Sequence, residues 1–105
     1  MRILIVFTVC IMSSSAFAGC DLDDLVGWTL IARKTIVGRI QNGERKDDFE
    51  GCDFNRIIVF DDNTGVQCTG YSYMYSYRPR AYIWADGSSL KMCVGSNEFS
   101  VGRIN

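Results

Sequence analysis

Apolar and polar residues alternate most regularly at Tyr71-Ser72-Tyr73-Met74-Tyr75-Ser76-Tyr77, where every second position is a tyrosine. Successive side chains of a strand point to opposite faces, so an extended segment puts all four rings on one side. A helix would scatter the same spacing around its circumference. The pattern therefore predicts a strand over Val66–Tyr77, ending in a corner at Arg78-Pro79. Upstream, Arg56-Ile57-Ile58-Val59-Phe60 is a continuous apolar run of strand length, suited to burial on both faces. Trp28–Ile40 is rich in β-branched residues and also reads as a strand, although neither of its alternating faces is cleanly polar. Arg80–Ala85, Leu90–Val94 and Phe99–Ile104 read as three further short strands.

Turn chemistry separates these runs. In Asp61-Asp62-Asn63-Thr64-Gly65, the acidic and amide side chains bond their own backbone and Gly65 supplies a positive φ. Asp86-Gly87-Ser88 and Gly95-Ser96-Asn97 are further hairpin turns. The mixed charges of Gln41–Gly51 mark a solvated hairpin connection. Asp21–Val26 forms at most one helical turn, stopped by Gly27, with its acidic residues at the N-terminal end. The expectation is an all-β domain: a small antiparallel meander of five or six strands, barrel-like or a strongly twisted sheet.

A two-residue corner at Arg78-Pro79 or Pro79-Arg80 gives an odd register, which sets Tyr73 and Tyr75, or Tyr75 and Tyr77, against Trp84 and Tyr82. A three-residue corner sets Ala81 and Ile83 there instead. The candidate binding residues are thus Tyr71, Tyr73, Tyr75, Tyr77, Tyr82 and Trp84, edged by Arg78. Such a face suits stacking on a protein or glycan partner. The competing reading is an aromatic ladder that only stabilises a thin sheet.

The N-terminus changes where this domain belongs. Met1-Arg2, the apolar run Ile3–Met12 and Ala16-Phe17-Ala18 read as a signal peptide over residues 1–18, leaving a single small domain at 19–105, periplasmic or secreted. The apolar run falls short of the roughly 20 residues that span a bilayer. Phe17-Ala18-Gly19-Cys20 also resembles a lipobox, with phenylalanine where an aliphatic residue is usual. A membrane association follows only if Cys20 is lipidated.

Composition narrows the chemistry. The formal net charge is −1, one unit more negative without Arg2, so nothing favours nucleic acid as a partner. Cys20, Cys52, Cys68 and Cys93 remain after cleavage, an even number in a short exported chain, which reads as two disulfides. No histidine and no Cys-x-x-Cys pair points to a metal site. Asp61 and Asn63 have a calcium-loop spacing, but the glycine falls one position early and Ser72 stands where a bidentate glutamate belongs. No constellation of nucleophile and base is present, so no catalytic residue, cofactor or enzymatic activity is assigned.

Four cysteines allow three connectivities. A hairpin centred on Asn63 sets Cys68 beside Ile58 and Cys52 beside Met74, which argues against a direct bond between them unless Glu50–Asp53 folds back. The run Phe49-Glu50-Gly51-Cys52-Asp53-Phe54, the Ile-Ile-Val-Phe strand, then Cys68 and the tyrosine repeat ending in Tyr77-Arg78-Pro79 resembles a group of short, uncharacterised exported bacterial proteins, over about positions 27 to 102. That resemblance implies a Cys52–Cys68 bond, and with it Cys20–Cys93; it brings no activity with it. Cys20–Cys68 with Cys52–Cys93 is the alternative. The expected function is a non-catalytic binding or structural module. Its alternatives are an envelope lipoprotein tethered at Cys20 and a secreted inhibitor-like effector.

Overall fold

The computed structural model describes residues 20–104. The signal peptide, its cleavage site and the first three lipobox positions lie outside them. Asp21 caps a one-turn 3-10 helix, Leu22–Leu25, by accepting from the Asp23 amide, and Gly27 turns the chain at φ 88°. Seven strands follow: β1 (Thr29–Gln41), β2 (Glu44–Lys46), β3 (Ile57–Phe60), β4 (Gly65–Cys68), β5 (Arg80–Asp86), β6 (Ser89–Val94) and β7 (Asn97–Arg103). All pairings are antiparallel, in the order β2-β1-β3-β4-β7-β6-β5, and β1 also pairs with β5. Six strands therefore close into a barrel, and β2 is the extra strand.

The length of β1 makes closure possible. Its first half pairs with β5, from Thr29↔Ala85 to Thr35↔Arg80, and its second half pairs with β3, from Ile36↔Phe60 to Ile40↔Ile57. Register shifts at Ile31 and Val37 bend the strand between these partners, the usual work of bulges in tightly curved sheets. The charged stretch after β1 is a hairpin turned by Asn42 and Gly43, both at positive φ, as a two-residue turn of this hand requires.

Inside the barrel lie Ile36, Ile58, Phe60, Val66, Cys68, Ala81, Ile83, Leu90, Met92, Val94, Phe99 and Val101, all buried. Strand β3 corrects one expectation. Only Ile58 and Phe60 are buried; Ile57 and Val59 face outward and are half-buried, because a closed barrel of this size covers one face of each strand. The 61–65 segment does turn the chain, but Asn63, at φ 68°, takes the left-handed conformation. Gly65 is needed for space instead: a Cβ there would lie 2.7 Å from the Ile58 carbonyl oxygen.

Two disulfides staple the fold, Cys20–Cys93 and Cys52–Cys68. The hairpin register is Ile58↔Val66, so Cys68 sits beside Arg56, whose carbonyl accepts from the Cys68 amide. A turn then brings Cys52 over Cys68: the Arg56 amide donates to the Asp53 carbonyl, and Asn55 adopts φ 67°. This fold-back removes the geometric objection to the bond. Disulfides of this kind indicate an oxidising compartment outside the cytoplasm. Among the described residues, no helix is long and apolar enough to cross a membrane.

Candidate functional site

The largest departure from expectation concerns the tyrosines. Strand β4 ends at Cys68, and residues 69–79 cross one end of the barrel to reach β5 with only two isolated bridges, Cys52↔Ser72 and Phe49↔Ser76. Each bridge is a pair of backbone hydrogen bonds, 2.8 and 3.0 Å at Cys52–Ser72 and 3.0 and 3.1 Å at Phe49–Ser76. Between the bridges, three residues on the tyrosine side face only Glu50 and Gly51 on the other. That unequal spacing breaks the ladder, so the expected strand Val66–Tyr77 is not continuous. Gly51 marks the crowded point: it has φ 80°, and a Cβ would overlap the Ser72 carbonyl oxygen and lie 2.9 Å from the Met74 amide.

The sidedness read from the alternation nevertheless holds. Ser72, Met74 and Ser76 turn toward the protein and are half-buried, while Tyr71, Tyr73, Tyr75 and Tyr77 are between 55% and 66% exposed. Met74 packs on the core and accepts a contact from Asn97 Nδ2 at 3.1 Å. Beneath it, Phe49 is fully buried and meets the Phe99 ring edge-on at 5.5 Å. Phe54 adds another exposed ring.

Arg56, which sequence reasoning placed in a strand and assigned no role, holds this cap in place. It is almost fully buried, and its Nη1 donates to the carbonyls of Glu50 (3.2 Å) and Gly51 (3.1 Å). Its Nε donates to Gln41 Oε1 at 2.9 Å. Arg39 grips the same loop from β1, with Asp48 at 2.9 Å and Glu50 at 3.3 Å. A buried guanidinium aimed at carbonyls stabilises a loop because each bond has a charged donor. Its only sequence signal was a lone arginine opening an apolar run.

The other candidate residues divide. Arg78 has φ 51° and joins the tyrosine face, its Nε donating to the Tyr77 hydroxyl at 3.2 Å with the guanidinium 5.5 Å from the ring centroid. That hydroxyl contact raises the already high pKa of Arg78. Tyr82 and Trp84 do not oppose the tyrosines. Strand β5 lies between β1 and β6, so Tyr82 faces Arg33 and Cys93, and Trp84 faces Leu30 and Lys91, on the outer wall of the barrel. The aromatic ladder across two strands is absent because the tyrosine segment pairs with Phe49–Cys52 instead.

At the opposite end the interior is open. A cavity of about 320 Å³ reaches down to Phe60, Val66, Ile83 and Leu90, with Lys34 and Arg103 among its walls. Comparison with protein-family models, curated proteins and solved structures found no match.

Proposed function

We propose that this chain is an exported, non-catalytic binding module, released as residues 19–105, that engages a protein or glycan partner through Tyr71, Tyr73, Tyr75 and Tyr77. The reading rests on one observation above all: four large rings stay exposed along a segment whose alternate residues are half-buried, Met74 packing on the core. Tyrosine suits this task because its ring offers a stacking surface and its hydroxyl stays solvated. Exposed apolar patches of this kind mark interaction sites. Arg78 supplies a cation at the rim, and Tyr82 and Trp84 stand apart from the platform. A thioether-linked lipid on Cys20 would use the sulfur that bonds Cys93, which favours the untethered product.

The test is a binding screen of the oxidised, exported protein against immobilised envelope polysaccharides and exported proteins. Wild type is compared with the double substitution Tyr73→Ser/Tyr75→Ser. Loss of at least tenfold in affinity with unchanged far-UV circular dichroism supports the platform. If the variant unfolds, the tyrosines are structural; if it stays folded and keeps its affinity, the platform reading is wrong.

A further inference from the structure

The open end of the barrel contains two charges where the strand register calls for apolar residues. Antiparallel partners share a face. Lys34 pairs with Ala81, which is fully buried inside the barrel, and Arg103 pairs with Val66, another interior residue. Both basic side chains therefore spring from positions on the inner wall. Interior positions of small barrels are filled by side chains, and at this rim both cations keep access to water: Lys34 is half-buried and Arg103 is exposed.

Lys34 has its partners. Its Nζ meets Asp62 at 2.9 Å and Thr64 Oγ1 at 2.7 Å, and lies 5.4 Å from the centroid of the Phe60 ring. Arg103 has none: among the described residues, no carboxylate lies within ion-pair distance of its guanidinium. The cavity beside it is floored by Phe60, Ile83 and Leu90. At about 320 Å³ it falls at the lower end of small-molecule sites, roughly 300–1,000 Å³. Ile31, the extra residue of the first β1 bulge, adds an aliphatic side chain to the same wall.

We propose that this mouth binds a small anionic amphiphile, a medium-chain monocarboxylate, with its alkyl chain on Phe60, Ile83 and Leu90 and its carboxylate on Arg103. A planar carboxylate matches the two-pronged donor geometry of a guanidinium, and the apolar floor suits an alkyl chain. The site is independent of the tyrosine platform, at the other end of the barrel.

Octanoate, 1-octanol and acetate are titrated into the exported, oxidised protein by calorimetry, and ¹⁵N–¹H spectra locate the perturbed amides. The expected result is octanoate binding at least tenfold tighter than either octanol or acetate, with shifts at Phe60, Ile83, Leu90 and Arg103. Arg103→Gln should cut octanoate affinity about tenfold, the value of one charge-assisted contact, while leaving octanol unchanged. Ile31→Glu, a change at a half-exposed position, should weaken octanoate by repulsion without unfolding the barrel. Octanoate binding no tighter than octanol, an Arg103→Gln variant with wild-type affinity, or shifts confined to Tyr71–Tyr77 would each overturn the assignment.

Discussion

At one end of the barrel, Phe49, Cys52 and Met74 close the interior beneath a loop held by a disulfide, a buried arginine and four bridge hydrogen bonds. At the other, the interior stops at Phe60, Ile83 and Leu90, and two basic residues stand where the wall should be apolar. Both ends present unusual residues to solvent, but they arrive there differently. The cap positions its tyrosines by packing everything else around them. The mouth leaves volume unfilled and, among the described residues, the Arg103 guanidinium without a carboxylate partner. Stability should therefore be concentrated at the cap, and tolerance to substitution at the mouth.

The sharpest way to break that contrast is at Phe49. Its ring is fully buried against Phe99, and truncation to alanine leaves a cavity under the cap. Phe49→Ala should cost about 3–5 kcal/mol, a large share of the stability of a domain this small. Urea unfolding followed by tryptophan fluorescence measures it. A cost under 1 kcal/mol would mean the cap is not part of the cooperative core.

Gly51→Ala should come next. The substitution forces an L-residue into positive φ and drives a Cβ into the Ser72 carbonyl. The backbone conformation alone costs about 1–2 kcal/mol, and displacement of the tyrosine segment adds to it. Hydrogen exchange should report the damage locally, with protection lost at the Ser72 and Ser76 amides before the barrel strands open.

Against these, Arg103→Leu tests the open end. Replacing this exposed rim cation by an apolar side chain should shift stability by no more than about 0.5 kcal/mol in either direction. A thermal melt is sufficient. A loss beyond 1 kcal/mol would give Arg103 a structural role and remove the contrast between the two ends.

How much of this was legible beforehand depends on which physical scale each feature lives on. Strands β3, β5, β6 and β7 were read close to their observed bounds because their residue types and turn signals are local. The sidedness of the tyrosines was legible for the same reason. Their pairing partner was not. Alternation says which way a side chain points, never which backbone lies alongside, and Gly51 gave no warning that it would be the point of closest approach. The split of Tyr82 and Trp84 from the tyrosines follows from β5 lying between β1 and β6, a closure no window of sequence contains. Lys34 and Arg103 became notable only once Ala81 and Val66 were known to be their partners. The Cys52–Cys68 bond needed the turn at Asp53–Arg56, whose positive-φ residue is an asparagine inside an otherwise unremarkable run.

The smallest effect expected is a pH dependence at the mouth. Asp62 accepts from the Thr64 hydroxyl and amide and from Lys34, and these bonds lower its pKa to about 2. A carboxylate whose pKa is depressed by folding stabilises the native state above its unfolded value, near 4, and loses that contribution as pH falls toward 2. The melting temperature should therefore decline slightly between pH 4 and pH 2 through this group, and Asp62→Asn should remove that part of the slope. Because the carboxylate is exposed, the effect should shrink further in high salt. The outcome bears on the two ends directly. If Asp62→Asn changes the slope while the bridge amides of Ser72 and Ser76 stay protected, the mouth titrates independently of the cap. If protection at the cap falls with it, the two ends are coupled through the barrel wall.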